Sequence, residues 1–250
     1  MSRATLSSSA WKIAVGIFVV NLVWFIAAVT LRMPVLVNPI EVYARLGQVL
    51  REGMRTHLAA SLWRIVLGLA VSLFLALVTA LFMFRFRKVG GIIDAVVYFL
   101  YPVPKLALLP VVMLLMGIGD AAKVTMIVLI ILFQLIVAIR DSLRQIPLEN
   151  FLTLTSLGAS GFQLLHHLIL PSVLPDVLSA LRVATGTAIS VLFVTETYGT
   201  DRGMGYYIVD AWMRVDYPDM YAGIVLLSLT GFLLFLLSDL TERLLTPWRR

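Results

Sequence analysis

The adjacent histidines His166 and His167 are the side chains whose type most directly invites chemistry. On a helix, neighbours point about 100° apart, so these two cannot jointly hold one metal ion. His57, the remaining histidine, is remote in sequence, and cysteine is absent. That removes disulfides, thiolate metal sites and a cysteine nucleophile. No Ser/His/Asp set and no pair of carboxylates can be assembled from groups at a shared depth of the apolar pattern, so an enzyme is not indicated. Nor is there a Gly-x-x-x-x-Gly-Lys-Ser/Thr loop to cradle a nucleotide. What remains is a set of charges embedded in apolar sequence: Lys105, Arg182, Arg64 and Glu196. Such charges are costly in a membrane, face the protein interior and mark solute paths or internal pairs.

The elements that carry them are hydrophobic helices. Hydrophobic residues make up 60% of the 250 and charged residues only 14%. A soluble domain of this size has too little interior to hide that much apolar surface. A spanning helix needs about 20 mostly apolar residues. Six stretches qualify, at 13–31, 65–84, 92–115, 121–139, 177–195 and 220–237. The first exceeds the length of a signal-peptide core and lacks a small-residue cleavage site, so it reads as a retained span. Pro39–Arg55 has apolar residues at helical spacing and reads as an amphipathic helix on the membrane surface.

Basic residues set the orientation. Ten fall on the side of the N-terminus: Arg3, Lys12, Arg85, Arg87, Lys88, Arg140, Arg144, Arg243, Arg249 and Arg250. Seven fall on the other: Arg32, Arg45, Arg51, Arg55, Lys123, Arg202 and Arg214. The clusters at 85–88 and 248–250 put both termini in the cytoplasm. The net charge of +6 therefore reflects topology rather than nucleic-acid binding.

Between the fourth and fifth spans, residues 147–170 spell helix, turn, helix. Pro147 suits a first helical turn, Gly158 a left-handed helix end, and Ser160 with Gln163 a capping box. Pro171 is expected to disrupt the second helix. From pattern alone, the segment packs either on its own spans and the lipid interface or against a partner. Leu157-Gly158-Ala159-Ser160 followed by Leu168-Ile169-Leu170-Pro171 resembles the "EAA…G…I-LP" signature of ABC importer permeases. Leu152 stands where that signature has its acid, with Glu149 one helical turn earlier. The resemblance implies a segment that docks on a cytoplasmic ATPase through Glu149, Leu152, Leu157, Gly158, Ala159, Ser160, Gln163, Leu170 and Pro171.

The run Tyr101-Pro102-Val103-Pro104-Lys105 to Pro110, then Met116-Gly117-Ile118-Gly119-Asp120, is similar to the third span of nitrate, sulfonate, taurine and bicarbonate permeases. Glu196…Gly199…Gly203-Met204-Gly205-Tyr206 is similar to the same group. Prolines within a span free carbonyls, so this helix is either broken beside a translocation route or kinked for packing. Tyr101, Pro102, Pro104, Lys105, Arg182 and Glu196 are the candidate path residues. Lys105 would assist an anionic solute, or pair with Glu196 or with a partner's backbone. Arg64 would snorkel to the interface from the edge of the second span.

The resemblance implies an all-α membrane protein with the type I ABC importer (MetI-like) permease fold, in one transmembrane domain over 1–250. It implies a bacterial inner-membrane location and a homodimer of permease subunits. The implied partners are an ATPase that carries ATP and Mg, and an extracytoplasmic solute-binding protein. An ion-gradient transporter is the alternative, and would bury acids deep in its spans.

Overall fold

The computed structural model describes residues 3–249, with side chains from Trp11 to Trp248. The Arg3 and Arg249 side chains, and all of Arg250, lie outside the described residues. Eleven α-helices are present among them: α1 (Arg3–Leu31), α2 (Pro39–Val49), α3 (Arg55–Arg85), α4 (Arg87–Leu100), α5 (Leu109–Met116), α6 (Asp120–Arg144), α7 (Leu148–Ser156), α8 (Gly161–Leu164), α9 (Leu170–Glu196), α10 (Met204–Met213) and α11 (Tyr217–Leu245). Five helical stretches are long and apolar enough to cross a membrane, at 11–31, 39–85, 120–144, 161–196 and 217–245. The pair α4 and Lys105–Met116, bent by 85°, makes a sixth.

The centre of the bundle is α3, α6 and α9. Ile65, Ile127, Ile131, Leu135, Ala184 and Ala188 are wholly buried there. A second cluster joins α2, α10 and α11 through Val42, Met54, Met204 and Ala222. Helix α1 rests at the edge, held by Trp24, whose indole donates to the Val37 carbonyl and stacks on Tyr221. Most of its other apolar side chains are exposed, as lipid contact requires.

Two expectations change, and one open alternative is decided. The helix of the second span begins before the apolar stretch at residue 65: α3 starts at Arg55 and follows α2 through a π-helical turn, Leu50–Met54. The third span, expected to be broken or kinked, is broken. It breaks at Tyr101–Pro104, where the prolines withhold donors, and resumes through a 3₁₀ turn at Lys105–Leu108. Pro171 does not end a helix. A π-helical turn at Leu165–Ile169 precedes it, and Pro171 sits in the first turn of α9, where a missing N–H costs nothing. Within the 39–55 stretch a helix is present as α2, over Pro39–Val49, capped by the Asn38 side chain.

Candidate functional site

At one end of the bundle, α7 and α8 form the expected helix, turn, helix. Pro147 is the cap residue just before α7 rather than part of it. Glu149 lies in the first turn, where a carboxylate favours the helix dipole. The turn closes through Gly158, at φ 80, with Gly158 N–H donating to Thr155 O (3.0 Å) and Ala159 N–H to Leu154 O (3.0 Å). This paired bonding needs a left-handed residue at the first donor, which glycine supplies without a Cβ clash. Ser160 and Gln163 then cap α8 reciprocally.

Phe151 turns inward and meets Phe84 at the end of α3, ring centroids 5.9 Å apart. Several other apolar side chains point away. Leu148 is 67% exposed, Leu152 57%, Leu157 79% and Phe162 75%. Gln163, Leu170 and both neighbouring histidines are exposed too, with His166 stacked on Phe162. Leu168 and Ile169 are buried and root the segment in the bundle.

Next to the segment, Asp94 bridges two arginines at the end of α6. It accepts from Arg140 Nη1 and from Arg144 Nη2 (2.9 Å). Higher along the same face is the break in the third span. Lys105 does not pair with Glu196. Its ammonium donates to Leu100 O (2.9 Å) and Tyr101 O (3.0 Å), and lies 4.7 Å from the Phe133 ring centroid. The lysine thus gives donors to carbonyls at the break, where the helical ladder is interrupted. Tyr98 and Phe99 beside the break are 83% and 75% exposed, and Tyr101, Pro102 and Pro104 are exposed as well.

Arg182 and Glu196 are both committed inside the bundle, away from that break. Arg182 ties α9 to α11 through Asp239 and through Glu242 (3.0 Å). Glu196, 1% exposed, is the centre of a polar cluster at the opposite end from α7. It accepts from Arg64 Nη1 (2.6 Å), from Ser61 Oγ (2.8 Å) and from the Gly205 N–H (3.0 Å) at the start of α10. Arg64 is only 3% exposed and does not snorkel. Its remaining donors reach Asp120 Oδ1 (2.6 Å) and the Arg202 carbonyl (2.8 Å). One guanidinium therefore binds the start of α6, the end of α9 and the following loop to α3. Ser61 Oγ also accepts from Met204 N–H (2.8 Å), and His57 Nδ1 meets Gly203 N (3.3 Å).

Sequence reasoning missed Ser61, Asp120 and His57 as members of this cluster. Nearby, Asp219 in the first turn of α11 joins Arg45 (2.7 Å) and the hydroxyl of Tyr207 (3.0 Å), which lies on α10 between the spans. Burial, aided by the Asp219 carboxylate, raises the phenol pKa and keeps Tyr207 a donor.

The cluster explains the glycine-rich loop. Gly203 has φ 134, and a Cβ there would overlap the Glu196 carboxylate. Gly203→Ala is expected to destabilise the protein by about 2 kcal/mol or more, from backbone strain and overlap together. Thermal unfolding of the detergent-purified chain measures this; an unchanged midpoint would show that the loop can re-form without its contact to Glu196.

Residues 68–250 match the family model described as "Binding-protein-dependent transport system inner membrane component". The chain belongs to that family. Over 192 residues the permease is 33% identical to the taurine transport system permease protein TauC of Escherichia coli, covering 77% of this chain and 70% of the relative. It is 31% identical to the formylaminopyrimidine transport permease protein ThiX of Halalkalibacterium halodurans, covering 91% and 92%. A putative aliphatic sulfonates permease of Escherichia coli, SsuC, is 31% identical, covering 77% and 73%. Among solved structures, an inward-facing MetNI methionine ABC transporter chain superposes with a TM-score of 0.64 at 19% identity, covering 80% and 97%. The permease therefore has the MetI-like type I ABC importer fold. It is a multi-pass inner-membrane component of an ABC importer, and its relatives are transport rather than catalytic chains.

Proposed function

We propose that this permease forms the translocation path for a small organic anion of the sulfonate type, moved by alternating access and driven by a separate ATPase. The observation that carries the reading is the α7–α8 segment. It stands at the arginine-rich end of the spans and turns Leu152, Leu157 and Phe162 away from its own bundle. Exposed apolar groups so arranged on a polar face are suited to a protein partner. The family supplies that partner's class, an ATPase that carries ATP and Mg. Residues 147–170 are then the coupling segment, with Glu149, one helical turn before Leu152, offering the acid that this chain lacks at the signature position.

The remaining parts follow from the same frame. The positive clusters support a cytoplasmic side for both termini and the coupling segment. The exposed face at the broken third span, around Phe99 and Pro104, meets a second copy of the permease across the path. The Glu196 end faces outward, toward a solute-binding protein. Relatives named for taurine and aliphatic sulfonates support the anionic solute. The ion-gradient alternative is not favoured: the buried acids Glu196 and Asp219 are each matched with an arginine.

Gly158→Val tests the coupling. Its Cβ would meet no neighbour within 4 Å, so the substitution strains only the backbone of the turn. A β-branched residue held left-handed costs about 1–3 kcal/mol, enough to reshape the turn without unfolding the spans. The expected result in proteoliposomes with the cognate ATPase and binding protein is continued ATP hydrolysis with taurine uptake lost. Uptake at the wild-type rate would exclude this turn from coupling.

A further inference from the structure

A cavity of about 780 Å³ opens between the ends of α3, α4 and α6 and the inner side of α7. Three guanidinium-bearing residues line it: Arg87, Arg140 and Arg144. Asp94 holds the latter two in place, while Arg87 is exposed and, among the described residues, has no ion-pair partner. The opposing wall is apolar, made by Met83, Phe84 and Phe151. A second cavity of about 400 Å³ lies along α4 and α6, and Arg140 lines both. Its other walls are Val97, Tyr98, Tyr101, Pro102 and Val137. At about 1.5 Å per residue, Val97 lies some 15 Å along α4 from Arg87, deeper among the spans. The polar chamber is thus at the membrane surface and the apolar one beneath it.

That order, a cationic mouth over an apolar slot, is the shape of a membrane amphiphile. We propose that the two cavities bind an anionic phospholipid of the cytoplasmic leaflet. Its phosphate lies among Arg87, Arg140 and Arg144, and an acyl chain follows the slot along α4. Arginine suits this role because its planar donors match phosphate oxygens in pairs. A free anion such as inorganic phosphate fits the mouth but leaves the apolar slot empty, which is why the lipid is favoured. Because Phe151 forms part of the wall, a bound lipid would also brace the coupling segment against α3.

The test is native mass spectrometry of the permease assembled with its ATPase, after delipidation and addition of phosphatidylglycerol or of phosphatidylcholine with the same chains. Wild type is expected to retain phosphatidylglycerol preferentially. Arg87→Gln with Arg144→Gln should weaken retention by about tenfold or more, from the loss of charge-assisted bonds. Gly91→Phe gives an independent route. Gly91 lines the cavity, and a Cβ there meets nothing within 4 Å, so a ring at this position is aimed to occupy part of the chamber. It should also lose the lipid while keeping the wild-type unfolding midpoint. Equal retention of both lipids, or no effect of either variant, would overturn the site. Displacement by millimolar inorganic phosphate would make it a free-anion site and overturn the lipid. None of these readouts depends on transport, so they are separable from the proposed solute and coupling.

Discussion

Arg64→Leu is expected to leave the permease largely unable to accumulate as a folded membrane protein. The Arg64 guanidinium, 3% exposed, serves Glu196, Asp120 and the Arg202 carbonyl together. Its removal strands Glu196, 1% exposed, with only Ser61 and the Gly205 N–H as donors. Removing one partner of a buried pair costs about 3–5 kcal/mol, because the other charge stays desolvated. That is a large part of the roughly 5–15 kcal/mol that stabilises an ordinary domain. Membrane-fraction abundance and the unfolding midpoint in detergent measure the effect. Two further variants give the prediction its shape. Asp120→Ala should be mild, since the Asp120 side chain is 61% exposed and exposed pairs contribute about 1 kcal/mol or less. Arg64→Leu combined with Glu196→Leu should recover part of the loss, because no buried charge is left unpaired. A wild-type midpoint for Arg64→Leu alone would show that water already reaches Glu196.

This cluster also marks where the sequence stops being readable. The apolar run begins at Ile65, which placed Arg64 at a membrane edge. Yet α3 starts at Arg55, so Arg64 lies more than two turns inside a helix. Hydropathy locates the apolar slab, not helix ends, and polar residues within a helix are then misread as interfacial. The partners of Arg64 lie 56 and 132 positions away, beyond any local pattern. Local chemistry was legible where it is self-contained. The capping box at Ser160 and Gln163, the left-handed turn at Gly158 and the break near Pro102 and Pro104 each follow from a few adjacent residues. The 85° bend needed the packing of α4 and α5 on either side of it. The π-helical turn before Pro171 carries no residue signature, so the proline alone suggested a break that the helix avoids. Lys105 was recognised as out of place among apolar neighbours, but its acceptors are carbonyls of the preceding turn, which sequence does not display as partners.

Replacing Leu157 and Phe162 together by aspartate should detach the ATPase while leaving the permease folded. Both side chains are at least three-quarters exposed, so neither supports the core. In an interface each would bury apolar surface worth about 1.5–3 kcal/mol, and aspartate adds the cost of desolvating a charge. Together the losses correspond to about a hundredfold or more in affinity. Co-purification of the tagged permease from native membranes should show the ATPase absent from the double variant, with ATP-dependent uptake abolished. The permease itself should unfold at the wild-type temperature, which distinguishes a lost interface from a damaged bundle. Phe151→Asp provides the contrast, since Phe151 packs on Phe84 and its loss should lower that temperature. Retention of the ATPase by the double variant, at wild-type stoichiometry, would mean that another surface carries the contact. The arginine-rich mouth between α4 and α6 would then be the next place to look, because it is a cationic opening at that end of the bundle.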